Sequence, residues 1–537
     1  MRDACSPTER STVTDASGPT ANEAAQRIAA GYAFESASLE LGTVSVDGQV
    51  DPTARVRIPL AMMNRHGLVA GATGTGKTKS LQLIAEQLSA NGVPVVMADI
   101  KGDLSGLSNP GAPGDRISTR AQQTGDDWQP TAYPVEFVSL GSTGIGVPIR
   151  ATITSFGPIL LSKVLGLNDT QESTLGLIFH WADQKGLPLL DLKDLRSVIA
   201  HLTSDEGKPE LKAIGGVSTQ TAGVILRALT NLEADGGDTF FGEPEIEPGD
   251  LLRLAADGRG IITLFELGAQ AARPALFSTF LMWILADLFE FLPEVGDLDK
   301  PKLVFIFDES HLLFNDASKA FVAQVVQTVK LIRSKGVGVF FCSQLPTDIP
   351  NEVLSQLGAR IQHALRAFTP DDQKALSKTV KTYPVSDVYK LDAALTSLGT
   401  GEAVVTVLSE KGAPTPVAWT VIRAPRSSME AVAAEGITAA AQASPLYAKY
   451  GESIDRESAY EKLAAKTLAP GEAADAPAPP PPPAPAPAPA PKPAPEEPGV
   501  LTEVLTSKPM QSFLRSAASA AGREFSRAIF GTGRRRR

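Results

Sequence analysis

One glycine-rich segment constrains the fold of this chain more than any other feature of its sequence. The pattern G-x-x-x-x-G-K-[ST] is filled by Gly71, Ala72, Thr73, Gly74, Thr75, Gly76, Lys77 and Thr78, and Lys79 follows. An apolar β-type run precedes the segment at 67–70, and Leu81, Ile84 and Leu88 follow it at helical spacing. The order strand, loop, helix is the one that a phosphate-binding loop requires. The alternative is a glycine-rich turn that binds nothing.

The residue types of this loop, residues 71–79, suit the binding of phosphate. Gly74 leaves backbone amides free to wrap around a β-phosphate, and the N-terminus of the next helix adds its positive end. Lys77 is placed to reach the β- and γ-phosphates, and Thr78 to bind Mg²⁺. The loop therefore predicts a nucleotide carrying both phosphates, together with Mg²⁺, as its ligand.

Short apolar runs alternate with helical stretches as far as about residue 424. Six of them are largely apolar on both faces, as buried parallel strands are. These runs are 67–70, 93–99, 135–140, 261–267, 303–308 and 337–343. The alternation predicts an α/β fold with a mainly parallel sheet covered by helices.

The chain has 537 residues, which suits several domains or one large enzyme with insertions. We expect the divisions 1–25 (disordered arm), 26–66 (small β-hairpin lead-in), 67–150 (first part of the core), 151–250 (mainly helical insertion), 251–425 (second part of the core) and 426–467 (helical extension). The hairpin turn is placed at Asp47-Gly48, and runs 402–408 and 416–422 predict an antiparallel hairpin that closes one sheet edge.

The C-terminal part differs in composition from the rest. A Pro/Ala-rich stretch, 468–500, holds 14 of the 41 prolines, which predicts an extended, disordered linker. Beyond it, 501–537 combines Lys508 and seven arginines with two glutamates, a net charge of +6 in a chain of net charge −10. This basic, amphipathic tail either binds an anionic partner or only keeps the chain soluble.

Composition excludes several classes of protein. With 43% apolar and 20% charged residues, the chain is not wholly disordered. Cys5 and Cys342 are its two cysteines, too few for a disulfide scaffold or a cysteine zinc site, which fits a reducing cytoplasm. The longest apolar stretch, 276–292, is interrupted by Asp287 and Glu290. We therefore expect a cytoplasmic protein without a membrane-spanning segment.

A carboxylate pair follows one of the apolar runs. Five apolar residues, 303–307, lead to Asp308 and Glu309. A phosphate-binding loop needs a carboxylate at a strand end to hold the metal, so Asp308 is the predicted Mg²⁺ ligand. Glu309 is the predicted general base that polarises water, which favours hydrolysis over phosphotransfer. The alternatives are ordinary acids at a strand end, or a phosphotransferase.

Polar residues end two further predicted strands. Ser343 and Gln344 follow one of them, and Gln344 is a candidate sensor of the γ-phosphate or the lytic water. Asp99, Lys101 and Asp103 follow another, where they orient the metal water, read the nucleotide state or form a plain turn. A helix-capping or loop role is the alternative for the first pair.

Three arginines, Arg333, Arg360 and Arg366, are candidates for a finger that stabilises transition-state charge in a neighbouring subunit. Taken singly, each is also an ordinary surface arginine.

The five histidines show no metal-ligand spacing, and they are His66, His180, His201, His311 and His363. Of these, only His311 is placed near the predicted chemistry. Cys342 is expected in the core.

These motifs, in this order, resemble the HerA/FtsK branch of P-loop ATPases. They are the glycine-rich loop, Asp99-Ile-Lys-Gly-Asp103, Phe307-Asp-Glu-Ser-His311 and the strand that ends in Ser343-Gln344. Within that branch the sequence is similar to bacterial HerA-like proteins called YjgR-type ATPases, over about residues 30–425. The resemblance implies a P-loop NTPase with an additional-strand, catalytic-glutamate core. It also implies a hexameric ring with ATP between subunits, and movement of double-stranded DNA.

The resemblance also implies residue roles. Lys77 and Thr78 correspond to the phosphate and Mg²⁺ ligands, and Asp308 and Glu309 to the metal and water carboxylates. The sensor corresponds to Gln344 and the preferred arginine finger to Arg360. The chain departs from its relatives in two ways. Archaeal HerA has a β-barrel domain where this chain has only 34–68, and neither the membrane spans nor the winged helix of FtsK is found.

Two functions therefore stand against each other. One is a ring ATPase that pulls on double-stranded DNA. The other is a nucleotide-gated interaction protein or scaffold, in which the linker and tail reach a protein partner or an anionic membrane surface.

Overall fold

The computed structural model describes residues 20–213, 215–267 and 273–468. Its strands are β1 Ser38–Val46, β2 Gln49–Pro59, β3 Gly67–Ala70, β4 Val95–Asp99, β5 Val135–Leu140, β6 Val147–Ile149, β7 Ile262–Glu266, β8 Leu303–Phe307, β9 Val337–Ser343, β10 Ala359–Gln362, β11 Glu402–Thr406 and β12 Ala418–Ile422. Its α-helices are α1 Ala21–Ala30, α2 Lys77–Ala90, α3 Asp115–Thr124, α4 Ile153–Leu165, α5 Asp169–Gln184, α6 Leu192–Thr203, α7 Lys208–Ala213, α8 Thr219–Ala234, α9 Pro274–Phe291, α10 His311–Phe314, α11 Lys319–Ile332, α12 Asn351–Leu354, α13 Pro370–Val380, α14 Leu391–Ser397, α15 Ala434–Ala443, α16 Pro445–Tyr450 and α17 Ala459–Leu468.

All the strands belong to one 12-stranded sheet with the order β2-β1-β12-β11-β10-β3-β9-β8-β4-β7-β5-β6. From β10 to β6, neighbouring strands are parallel. From β2 to β10, they are antiparallel. Strand β9 lies between β3, which leads into the glycine-rich loop, and β8, which leads into Asp308. The expected α/β fold is confirmed, with an additional strand between the strand that leads into the glycine-rich loop and the strand that leads into Asp308.

Side chains of the buried strands alternate between two apolar cores, one on each face of the sheet. On β8, Leu303, Phe305 and Phe307 lie in the first core, and Val304 and Ile306 in the second. Helices α4, α5, α6, α8, α9 and α11 cover the first core, while α1 and α2 cover the second. The helices of 151–250 therefore form much of one covering layer.

Both hairpins lie toward the same edge of the sheet, where β2 of the first hairpin is the outermost strand, so the second hairpin does not close that edge as expected. The first joins β1 and β2 through Asp47 and Gly48, whose φ angles of 50° and 76° are those of a turn that matches strand twist. The second joins β11 and β12. Because β1 pairs with β12, the segment before the glycine-rich loop and the last strands of the sheet build this edge together.

The structure differs from expectation at the N-terminus and at two strands. Residues 20–25 are not a disordered arm, because α1 begins at Ala21 behind a capping box of Thr20 and Glu23 and buries Ala24 and Ala25. Strands β6 and β10 went unrecognised because they have only 3 and 4 residues. Residues 1–19, most of the predicted linker and the basic tail lie outside the described residues.

Among the described residues, α9 is the one helix long and apolar enough to cross a membrane. It is 67% buried, and Trp283 and Phe280 on it pack against Phe156 of α4. This is the packing of a core helix.

Candidate active site

The glycine-rich loop leaves β3 at Gly71 and enters α2 at Lys77. The φ angles of Gly71, Gly74 and Gly76 are 151°, 79° and 113°, a range that glycine adopts readily. A Cβ at Gly74 would meet nothing within 4 Å, whereas one at Gly71 would lie 2.6 Å from Cβ of His363. The loop thus opens to space on one side and packs against the end of β10 on the other.

The side chain of Lys77 folds back over this loop. Its Nζ donates to the carbonyl oxygens of Gly71 at 2.7 Å and Ala72 at 3.2 Å. A second cation, Arg366, donates from Nη2 to the carbonyl of Thr73 at 3.3 Å. The partners of both cations are neutral carbonyls, so an anion at the loop can attract them without breaking an ion pair.

Asp308 and Glu309 follow β8 and are both largely buried. Burial, and then the neighbouring Glu309, raise the pKa of Asp308 to about 6. Glu309 has a φ of 45°, which is uncommon for a residue with a side chain. Its Oε2 lies 3.4 Å from Nδ1 of His311, yet neither atom has a hydrogen-bond partner among the described residues. A buried acceptor is therefore left free beside Asp308.

Lys101 holds the other oxygen of Glu309. Its Nζ lies 2.8 Å from Oε1 of the glutamate, and this hydrogen bond raises the pKa of Lys101. Asp99 shapes the loop that carries Lys101, because its carboxylate accepts the backbone N–H groups of Gly102, Asp103 and Leu104 at 2.7, 3.1 and 2.7 Å. The predicted Asp99–Asp103 motif thus supplies a lysine that contacts Glu309.

Hydrogen bonds join the loops that leave three adjacent strands. The N–H of Gly71 donates to the carbonyl of Ser343 at 3.2 Å, and the N–H of Ser310 donates to that of Cys342 at 2.8 Å. Gln344 follows directly on β9, between the other two loops, and is exposed. Cys342 itself is buried in the second core. The structure therefore brings the glycine-rich loop, the carboxylate pair and Gln344 together at the carboxyl ends of three neighbouring parallel strands.

Other predicted residues lie elsewhere. Nζ of Lys79 donates to Oε1 of Gln82 and to the carbonyls of Asp103 and Met429, away from the glycine-rich loop. Arg360 is opposite Leu68 near the beginning of β10, at the far end of the strands from that loop. Arg333 follows α11 and lines the same pocket as Arg360.

Two residues at this sheet edge escaped the sequence analysis. His363, after β10, is fully buried, and its ring contacts Oγ of Ser80 at 2.9 Å and the carbonyl of Glu402 at 2.8 Å. Burial lowers its pKa to about 4, so the ring is neutral. Glu266 ends β7 opposite Asp99, and burial raises its pKa to about 7. In the sequence, only the positions of His363 and Glu266 at strand ends could have indicated that they belong to the candidate site.

The arrangement fits a nucleotide with Mg²⁺. A Cβ at Gly74 would meet nothing within 4 Å, so the space beside it is open. Lys77, Thr78 and Asp308 lie at the same end of the parallel strands. No group of three or more His, Cys, Asp or Glu within the described ranges forms a metal site unaided. That suits Mg²⁺, which commonly takes one or two carboxylates and completes its shell with phosphates and water.

A protein-family model described as helicase HerA-like C-terminal matches residues 45–537. No curated protein sequence matches the chain. The bacterial conjugative coupling protein TrwBdeltaN70 is a similar solved structure, with 14% identity, coverage of 75% of this chain and 93% of that chain, and a TM-score of 0.48. Plasmid coupling protein TrwB in complex with a non-hydrolysable ATP analogue is 14% identical, with coverage of 76% of this chain and 94% of that chain and a TM-score of 0.49. VirB4 of Thermoanaerobacter pseudethanolicus is 15% identical, with coverage of 72% of this chain and 97% of that chain and a TM-score of 0.47.

Proposed function

Since the chain belongs to the helicase HerA-like C-terminal family, we propose that it is a cytoplasmic ATPase that acts on double-stranded DNA as a ring of identical subunits. The observation that carries the proposal is the geometry of the sheet edge. There the open glycine-rich loop lies beside a buried carboxylate pair, Asp308 and Glu309. Phosphate binding and water activation need these two parts side by side.

In the proposed mechanism, the loop amides of residues 71–79 and the N-terminus of α2 bind the β- and γ-phosphates. Lys77 turns from its two carbonyl partners to the phosphates. Thr78 and Asp308 hold Mg²⁺, which neutralises phosphate charge when bound. These groups orient the γ-phosphate before water attacks it.

As the water oxygen bonds to the γ-phosphorus, the bond from that phosphorus to the β–γ bridging oxygen breaks and ADP leaves, while Glu309 accepts the proton of the water. Its Oε2 is the free acceptor, because Oε1 is occupied by Lys101. Gln344 follows β9, the strand between the one that leads into the glycine-rich loop and the one that leads into the carboxylate pair. From there its side chain contacts the γ-phosphate or the attacking water. Arg360 lies far from its own loop, so its proposed role as a finger requires the nucleotide of a neighbouring subunit.

The test is ATP hydrolysis by the full chain with and without double-stranded DNA. Glu309→Gln keeps the shape of the side chain but removes the base, and we expect turnover to fall by ~10²–10⁴-fold while ATP still binds. Glu352→Gln, which changes an exposed glutamate of α12, is the matched control and should hydrolyse ATP normally. Severalfold stimulation by DNA that only Glu309→Gln abolishes would support the motor.

A second candidate function is the nucleotide-gated scaffold, and the pair between Lys101 and Glu309 favours it. A general base whose Oε1 is held by a lysine is expected to support only slow ATP hydrolysis. Faster hydrolysis would then require a partner that displaces the lysine. Turnover that needs Glu309 but ignores DNA would support this candidate against the motor. Absence of any turnover would contradict the motor and leave the nucleotide as a structural or regulatory ligand.

A further inference from the structure

A concavity lies at the opposite end of the parallel strands from the glycine-rich loop. Its volume is about 550 Å³, within the ~300–1,000 Å³ typical of small-molecule sites. Its walls come from Arg65 and His66 before β3, the end of α11, the beginning of β10 and the segment after α13. We call it the basic pocket. Strand β3 has four residues, so at ~3.3 Å per residue the two sites are roughly 13 Å or more apart.

Four cationic side chains line the basic pocket, and none of its described lining residues is acidic. They are Arg65, Lys330, Arg333 and Arg360. One of the four, Arg65, has a carboxylate partner in Asp297, whose Oδ1 is 3.8 Å from its Nη2 and whose side chain is 98% exposed. A pair so exposed contributes little. The pocket therefore concentrates positive charge that the described residues do not neutralise.

One of these cations, Arg360, is also short of hydrogen-bond partners, whereas Lys330 and Arg333 are exposed to solvent. Arg360 is half-buried, and within the described part of the chain its guanidinium makes one hydrogen bond, from Nη2 to the carbonyl of Leu354 at 3.4 Å. A guanidinium has five N–H donors, and burying them unpaired costs free energy. Burial, and then Arg65, lower the pKa of Arg333. Like charges held together in this way are stabilised by an anion.

The remaining lining indicates which kind of anion fits. Tyr383 and Thr382 bring hydroxyl groups, and Leu357, Leu408 and Pro384 bring apolar surface. Phosphate accepts several N–H and O–H donors at once and pairs well with guanidinium groups. Apolar walls suit the uncharged part of a phosphate ester. A single pocket of this volume holds one small ligand, whereas a nucleic-acid backbone needs basic residues along an extended surface.

We propose that the basic pocket binds a small phosphate ester of about nucleotide size, independently of the glycine-rich loop. Binding there joins the turn before β3 to α11 and β10. Because β3 and β10 lead at their other ends into the glycine-rich loop and His363, the pocket is connected to the candidate active site through two short strands.

The test uses the full chain with Lys77→Ala, so that phosphate binding at the glycine-rich loop is removed. Isothermal titration with pyrophosphate should still show saturable binding. Adding Arg65→Gln or Lys330→Gln should weaken it roughly tenfold each, since each removes one charge-assisted contact. Adding Arg227→Gln, an exposed arginine of α8, is the matched control and should change nothing. The tail arginines are present in every variant and so cannot produce the difference.

Three further arms sharpen the result. Arg65→Lys keeps the charge and should keep most of the affinity, which separates loss of charge from loss of folding. Adenosine monophosphate in place of pyrophosphate should bind at the same site and compete. Binding of a short DNA duplex that Arg65→Gln abolishes, with no pyrophosphate binding, would overturn the small-ligand proposal in favour of a DNA contact.

The proposal is also overturned if the Lys77→Ala protein does not bind pyrophosphate, or if Arg227→Gln weakens binding as much as Arg65→Gln. These outcomes are independent of the proposed ATPase, because the Lys77→Ala background needs no turnover. Arg65 and Lys330 are not candidate fingers, so their effect is separable from any role of Arg360 in hydrolysis.

Discussion

The two ends of the parallel strands handle charge in opposite ways. At the carboxyl end, Lys101 and Glu309 form an ion pair at 2.8 Å, and Lys77 lies on carbonyl oxygens beside the carboxylates. At the amino end, the basic pocket gathers arginines and a lysine without an acidic residue in its lining. The first end holds charges of both signs and can carry out chemistry. The second is complete only with an anion from outside.

Each end nevertheless contains a buried, neutral histidine. Burial lowers the pKa of both His363 and His66 to about 4. His363 contacts Ser80 and Glu402 beneath the glycine-rich loop. Nδ1 of His66 accepts the N–H of Val339 at 3.0 Å. The comparison separates a buried histidine that lies beneath the glycine-rich loop from one that lines the basic pocket.

The largest expected difference between the two ends is in ATP affinity. Lys77→Ala should weaken ATP binding roughly a hundredfold, because it removes charge-assisted hydrogen bonds to the phosphates. Arg65→Gln should leave ATP binding at the loop within about twofold. Titration with a fluorescent ATP analogue measures both. Equal losses would mean that the ends are not separate sites.

A smaller difference is expected from His363→Ala and His66→Ala. Each leaves buried polar groups unpaired and should lower the free energy of unfolding by about 1–3 kcal/mol. Only His363→Ala should also reduce the rise in melting temperature that ATP produces, because only His363 supports the glycine-rich loop. Thermal melts of both variants with and without ATP check this. A reduced ATP effect in His66→Ala would contradict the assignment.

The smallest difference between the two ends is expected in the pH dependence of stability, which they share. Each histidine titrates near 6.5 when unfolded and near about 4 when folded. Between these values the unfolded chain binds more protons, so stability is full above pH 6.5 and falls as pH drops toward 4. Urea unfolding across that range should show a shallower fall in either histidine variant. His180→Ala, at an exposed position, should match the parent.

The parts of the site that are local in sequence were predictable. The loop 71–79 and the pair Asp308–Glu309 each follow a buried strand, and the strand ends that carry them do lie at one sheet edge. The sequence indicated both Glu309, the proposed general base, and Lys101, but it did not predict their contact, because the two residues are 208 positions apart. His363 follows a four-residue strand with too little pattern to recognise.

The sequence alone determined the phosphate-binding loop, the carboxylate pair and the alternation of strands and helices. Each depends on backbone conformation and apolar spacing over a few neighbouring residues. Tertiary structure decided the strand order, the ion pair at Glu309 and the placing of Arg360 with Arg65 in the basic pocket. These depend on which distant strands become neighbours, and that is set by burying two cores against one sheet.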